Sequence, residues 1–197
     1  MSIVCAAIKD NKVAIACDTQ TSFGSRTVTA QHKIDSCKLH HVKGNVIGVV
    51  GWGAMSTMLQ HAISTKPKIF KLSNCQDIYK SLLKLHRFFK NNCYLETSED
   101  SSEQPVESSQ LNALIINQHG IFDVGSYREI SQFKTYWAIG SGADYALGAI
   151  NALYNSSASA YDLVNAGIHA AAEFDDGCAL PLHIEVIDLQ PQTHIIS

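Results

Sequence analysis

The second residue is a serine, and removing the initiator methionine ahead of so small a residue leaves a hydroxyl and a free α-amine on one residue. An α-amine titrates at roughly 7.7–8, much closer to neutrality than a lysine, so it can serve as general base at working pH. A hydroxyl activated by its own α-amine is an established form of covalent catalysis. That chemistry requires the residue to be held still, whereas chain ends are usually loose. The apolar run "IVCAAIK" directly after Ser2 reads as a strand, Ile3–Lys9, that would anchor it.

Other chemistry-bearing residues lead nowhere as compelling. Nine histidines are present, but no HExxH or paired His/Cys spacing, so no metal site is expected. His40 and His41 are adjacent on a strand and would point to opposite faces. "GSGADYALG" opens a helix after a strand, as a dinucleotide loop does, but Tyr145 stands where the third glycine belongs and no βαβ unit surrounds it. No GxSxG elbow or Walker A motif occurs, and no cofactor is expected.

The elements that must position Ser2 follow from the apolar pattern. Residues 13–17 pair with Ile3–Lys9 across a turn at Asn11-Lys12, and both arms are apolar almost throughout, the mark of strands covered on both faces. A second hairpin joins residues 38–42 to 46–50 at Lys43-Gly44-Asn45. Helical spacing marks residues 53–64 and 73–92, the latter opening with Ser73 and Gln76 at capping-box spacing. The acidic stretch 97–109 reads as a solvated loop near a solvent-facing end. Then come a hairpin turning near His119-Gly120, the strand "TYWAIGSG", two helices, the second capped by Ser159 and Asp162, and the strand "LPLHIEVIDL", with "THIIS" beside it. Strands paired in short hairpins predict antiparallel sheets, and two-sided burial predicts two sheets packed together with a helix pair outside each: an α+β, four-layer αββα sandwich.

Bulk properties agree with one domain over residues 1–197. The 46% apolar and 17% charged residues suit a folded chain, and net charge −3 gives no reason to expect nucleic acid or an anionic membrane as partner. No apolar stretch approaches the roughly 18 residues that span a bilayer, and no secretion signal is visible, so a cytoplasmic location is expected. Six cysteines without a CxxC pair read as reduced thiols in such a compartment.

Taken together, "SIVCAAIKDNKVAIACD", "VIGVVG", "AIGSGADYALGAINALY" and "AAAEFDDGCALPL" resemble, in that order, segments of the proteasome β-type peptidases, especially the bacterial HslV-type enzymes. The resemblance runs nearly end to end, and the region around "ETSEDSSEQPVESSQ" is similar to the betaproteobacterial proteasome homologues. It implies the αββα fold of N-terminal-nucleophile hydrolases and an endopeptidase acting on unfolded polypeptides. It also implies roles: Ser2 as nucleophile with its α-amine as base; Asp18 holding a lysine, Lys33 or Lys38, of which Lys38 fits better because it starts the strand beside "VIGVVG"; the Gly48 N–H in the oxyanion hole; Ser141 and Asp175 orienting the α-amine. Two departures stand out. Ser2 replaces the family's threonine, losing the methyl that restricts its rotamer, and Cys178 replaces a second serine.

The resemblance further implies confinement of the active chain in two stacked rings of about twelve to fourteen subunits, a closed symmetry, and leaves room for an ATP-dependent unfoldase. Leu82, Leu83, Leu85, Phe88 and Phe89 spread over more than one face of their helix, predicting an apolar patch for subunit contact. Two other functions fit the same sequence: a non-catalytic ring subunit, or an amidase acting on a small molecule.

Overall fold

The computed structural model describes residues 2–97 and 105–191. Strands β1 (Ile3–Lys9) and β2 (Lys12–Asp18) form the first hairpin, followed by β3 (Thr21–Phe23), β4 (Arg26–Val28), β5 (Leu39–Val42) and β6 (Asn45–Val50). Helices α1 (Gly53–Thr65) and α2 (Cys75–Asn92) come next, then β7 (Asn112–Asn117), β8 (Gly120–Val124), β9 (Ile130–Phe133) and β10 (Tyr136–Gly140). Helices α3 (Ala143–Leu153) and α4 (Ala160–Phe174) precede β11 (Leu182–Asp188). One sheet runs β10-β1-β2-β11 and the other β5-β6-β7-β8-β9, each antiparallel throughout.

The expected αββα layering is present. Ile3, Cys5, Ala7, Ala14 and Ala16 face α3 and α4, while Val4, Ala6, Val13, Ile15 and Cys17 face the second sheet. This explains the unbroken apolar runs, since successive side chains enter different cores. A third cluster packs α1 and α2 on the outer face of the second sheet. The helix-facing side of the first hairpin carries small residues, and Gly167 of α4 lies so close that an added methyl would sit 3.3 Å from the Cys5 sulfur.

The first turn falls at Asp10 and Asn11, one residue earlier than expected, both with positive φ (51° and 59°). Asp and Asn tolerate that conformation, which two-residue hairpins of this twist require. Ser159 and Asp162 form the expected capping box on α4. On α2 the cap is instead Asn74, whose side-chain oxygen accepts from the Asp77 N–H at 2.9 Å, in place of Ser73 and Gln76. An Asn amide satisfies the same unpaired N–H groups one residue further on.

Two strand regions were not apparent from periodicity. The β3–β4 hairpin lies in a polar stretch that rests largely on the surface, so no apolar alternation marks it; β9 is half-exposed for the same reason. The exposed patch expected on α2 is smaller than the spacing suggests: Leu82, Leu85, Phe88 and Phe89 are all buried within the chain, and Leu83 alone of the five is exposed, beside Tyr79. Helix α2 packs on α1 and the second sheet together, so its wide apolar face is divided between two intramolecular partners. Residues 98–104 of the acidic stretch and the "THIIS" segment lie outside the described residues, while Ser108 and Ser109 at its end are buried. Among the described residues no helix is long and apolar enough to cross a membrane.

Candidate active site

Ser2 leads directly into β1 and is buried, with Ile3 fully inside the helix-facing core. Burying a side chain such as Ile3 contributes about 1.5–3 kcal/mol, enough to hold this end against fraying. Two neighbours fasten the residue further. The Ile3 N–H donates to Asp18 Oδ1 at 3.0 Å, and the Ser2 backbone nitrogen donates to Ser141 Oγ at 3.2 Å.

The Gly-Ser-Gly run at the end of β10 has a steric cause at each position. Gly140 has φ +107°, and a side chain there would overlap the Ser2 carbonyl oxygen. At Gly142 an added methyl would lie 2.7 Å from Ala171 Cβ and 2.9 Å from the Cys178 sulfur, so α3 could not start where it does. Between them Ser141 has one proton and two lone pairs. It accepts from the Ser2 nitrogen and donates to the Ser2 carbonyl oxygen 3.4 Å away, with the Asp175 carboxylate nearby. Burial pushes the Asp175 carboxyl up, but hydrogen bonds from Ser141, the Gly177 N–H and the Cys178 thiol outweigh it and hold it below the usual carboxylate value.

Cys178 meets this network as a donor, its Sγ 3.4 Å from Asp175 Oδ2. Burial, and then the Asp18 and Asp175 charges, push its thiol up to about 12, so it keeps the proton it donates. The departure from serine therefore weakens this contact without removing it.

Asp18 is fully buried at the end of β2 and ties four segments together. Its carboxylate accepts from the N–H groups of Ile3 and Gln20 (both 3.0 Å) and Ala179 (3.4 Å), and is paired with the Lys38 ammonium. A buried carboxylate is tolerated only with such partners. Lys38 is mostly buried, whereas Lys33 is exposed and donates to Thr21 Oγ1 at 3.1 Å. The structure thus brings Lys38, and not Lys33, to Asp18.

Ser2 and Lys38 open onto a cleft of about 860 Å³, walled by Thr21–Gly24 on one side and by the β6–α1 junction, residues 49–54, on the other. Gly48 is not brought to it. The Val49 N–H donates to the Lys38 carbonyl at 3.1 Å, so strand alternation turns the Gly48 N–H toward β7, where it pairs with Leu114. Its Cα faces the first sheet, and an added methyl would lie 2.5 Å from Val4 Cγ1 and 3.3 Å from Ile15 Cδ1. Gly48 is a packing glycine between the sheets. We expect Gly48→Ala to cost about 1–3 kcal/mol through overpacking. A thermal melt should fall by about 2–4 °C per kcal/mol, and an unchanged melting temperature would show that Val4 yields freely.

The glycine that does line the cleft is Gly51, past the end of β6, with φ +99° and open space where a side chain would be. Sequence reasoning passed over it because the stretch "VIGVVGWG" contains three glycines and only the strand's end decides which reaches the cleft. Among the described residues no group of three or more His, Cys, Asp or Glu could hold a metal.

No family model and no curated protein sequence matches the chain. Solved structures do. BPH, the bacterial proteasome homologue of Thiobacillus denitrificans, superposes with TM-score 0.89 at 32% identity, covering 96% of this chain and 99% of that one. The same protein in complex with epoxomicin gives TM-score 0.87 at 31% identity, covering 96% and 100%. HslV from Trypanosoma brucei shares the fold, with TM-score 0.70 at 19% identity over 94% of this chain and 99% of that one. With its αββα layers, its Ser-led first strand and this end-to-end similarity, the chain belongs to the proteasome β-type, HslV-like family of N-terminal-nucleophile peptidases.

Proposed function

We propose that this chain is a self-compartmentalising endopeptidase subunit whose nucleophile is Ser2, exposed by removal of Met1. The observation that carries this reading is the placement of Ser2. Its nitrogen is held by Ser141, its neighbour's N–H by Asp18, and the Asp18–Lys38 pair stands beside it on the cleft. The α-amine takes the Ser2 Oγ proton, and Oγ attacks the scissile carbonyl carbon. The Lys38 ammonium, held in place by Asp18, lowers the cost of that deprotonation. Ser141 and Asp175 orient the amine by hydrogen bonds. The backbone of Gly51, in place of Gly48, lines the cleft where the developing oxyanion needs a donor. The peptide C–N bond breaks as the amine returns the proton to the leaving nitrogen, leaving an ester on Ser2 that water hydrolyses with the α-amine again as base.

A cleft with two backbone walls, the β3–β4 hairpin and the β6–α1 junction, suits an extended polypeptide that adds as a strand. That favours unfolded polypeptides over a small-molecule amide. Cys178 donating to Asp175 favours an active subunit over a non-catalytic one. Epoxomicin, bound in the structure of the Thiobacillus relative, provides the test. Incubation followed by peptide mapping should find the adduct on a chain beginning at Ser2. A retained Met1, or an adduct elsewhere, would overturn the assignment.

The assembly is proposed from the family resemblance: two stacked rings of about twelve to fourteen copies, a closed symmetry, open to an ATP-dependent unfoldase. The tilted ring pair Tyr145–Phe174, centroids 5.7 Å apart and both rings exposed, and the Tyr79–Leu83 patch supply apolar surface for copies to share. Light scattering on a sizing column at micromolar concentration should return a multiple of 21.5 kDa of that order. A monodisperse monomer would remove the ring.

A further inference from the structure

His40 and Ser56 take no part in the chemistry above, yet they place a base and a hydroxyl together at the wall of the same cleft. In β5, Leu39 joins the cluster between the sheets and Val42 the cluster beneath α1 and α2, so strand alternation carries the His40 ring toward α1. There His40 is buried, and its Nε2 lies 2.7 Å from Ser56 Oγ. Ser56 itself is half-buried and lines the cleft that holds Ser2.

The other hydroxyls of α1 behave differently. Thr57, Ser64 and Thr65 each donate to the carbonyl four residues back, at 3.4, 3.0 and 2.7 Å, the ordinary arrangement inside a helix. Ser56 turns away from its own helix to the imidazole. Burial holds that imidazole below its ordinary value; the Asp35 charge opposes this, and His41 adds to it. A neutral ring that carries its proton on Nδ1 accepts the Ser56 proton at Nε2.

A hydroxyl on an open cleft, within hydrogen-bond distance of a neutral imidazole, pairs a nucleophile with its base. The ring also borders a second cavity of about 190 Å³, room enough for water, and Asp35 and Gln60 line both spaces. No side chain caps α1, and Gly53 and Ala54 of its first turn lie on the cleft, in the turn over which the Ser56 side chain leans. Their N–H groups are the donors available to an oxyanion formed at Ser56. Among the described residues no carboxylate is hydrogen-bonded to the His40 ring, so nothing steadies its imidazolium as the aspartate of a triad does. That limits the pair to leaving groups better than an amine. An ester's alkoxide meets that condition, and a peptide nitrogen does not.

We propose that Ser56 and His40 form a second nucleophilic centre on this cleft, one that hydrolyses carboxylic esters and does not depend on Ser2. His40 Nε2 takes the Ser56 proton as Oγ bonds to the ester carbonyl carbon. The C–O bond to the alcohol breaks, and the imidazolium gives its proton to the departing alkoxide. Water then gives a proton to His40 as its oxygen bonds to the acyl carbon. The bond from that carbon to Ser56 Oγ breaks, and Oγ recovers the proton from His40. One ester and one water become one acid and one alcohol, with no change of oxidation state.

The test uses the full-length protein and its Ser2→Ala variant, so that the first nucleophile is present in one and absent from the other. Each is given a fluorophosphonate, which forms a serine O–P bond with loss of fluoride, and separately p-nitrophenyl butyrate. Peptide mapping should place the phosphonate on Ser56 in both proteins, and nitrophenol release should pass one equivalent per chain. His40→Gln keeps a side-chain amide against Ser56 but no base, and should cut labelling and turnover by about 10²-fold or more. Ser56→Ala should remove both. Thermal melts check the fold of each variant, and the map on the two proteins that keep both residues decides the site by itself. An unlabelled Ser56, or equal labelling in a folded His40→Gln, would overturn the pair. Ester turnover that vanishes in Ser2→Ala would overturn the second centre and assign the chemistry to Ser2. Release that stops at one equivalent would overturn hydrolysis. Because Ser2 is absent from the deciding protein, none of these outcomes depends on the peptidase reading.

Discussion

Ser2→Ala is expected to abolish peptide hydrolysis, by about 10⁴-fold or more, while leaving fold and assembly unchanged. Loss of a serine nucleophile elsewhere removes nearly all of the catalytic contribution of the unit it belongs to, because the base and its supports have nothing left to activate. The substitution deletes one oxygen. The contacts that place the residue run through its backbone nitrogen to Ser141 and through the Ile3 N–H to Asp18, and alanine keeps both. Circular dichroism and sizing should therefore match the parent while a fluorogenic peptide goes uncleaved. Undiminished turnover would remove Ser2 from the mechanism. The parent's rate should also carry an acid limb: below the α-amine's pKa, ordinarily about 7.7–8, the base is protonated and activity is lost as pH falls.

The second large effect separates two lysines on one cleft. Lys38→Ala should lower the rate by about 10²–10³-fold, the scale seen when a preorganised charge-stabilising group is removed, whereas Lys33→Ala should stay within about twofold. Lys38 is paired with a fully buried carboxylate, while Lys33 is exposed and bonded to a threonine hydroxyl, where interactions are worth little. Stability should move too. Removing one partner of a buried pair costs up to about 3–5 kcal/mol, reduced here because three backbone N–H groups still serve Asp18. Denaturant melts should show a loss for Lys38→Ala and none for Lys33→Ala. A catalytic defect in Lys33→Ala with a normal Lys38→Ala would reverse the assignment.

The layer order was legible because it is written in local periodicity. Two continuously apolar hairpin arms demand cover on both faces, and helix pairs after each strand set supply it; β1, β2 and their two cores follow directly. Ser2 is picked out by its place directly ahead of that strand, and Asp18 by the resemblance of the hairpin to the family's; the structure sets both at the open end of the hairpin, where Val4 pairs with Cys17. What needed the tertiary structure was every choice between near-equivalent residues. Lys33 and Lys38 differ little in composition around them, and only the Lys38 carbonyl's pairing with Val49 carries its side chain over Asp18. Gly48 and Gly51 lie three residues apart, and the point where β6 leaves its ladder decides that one packs on Val4 and the other borders the cleft. The wide apolar face of α2 called for partners, but that those partners are α1 and the chain's own sheet is a matter of how the helix pair seats. Local sequence determines which faces must be buried, because burial is a property of each residue's own side chain. Which residues meet across the core depends on register, strand ends and loop paths, which are settled only when all the layers pack together.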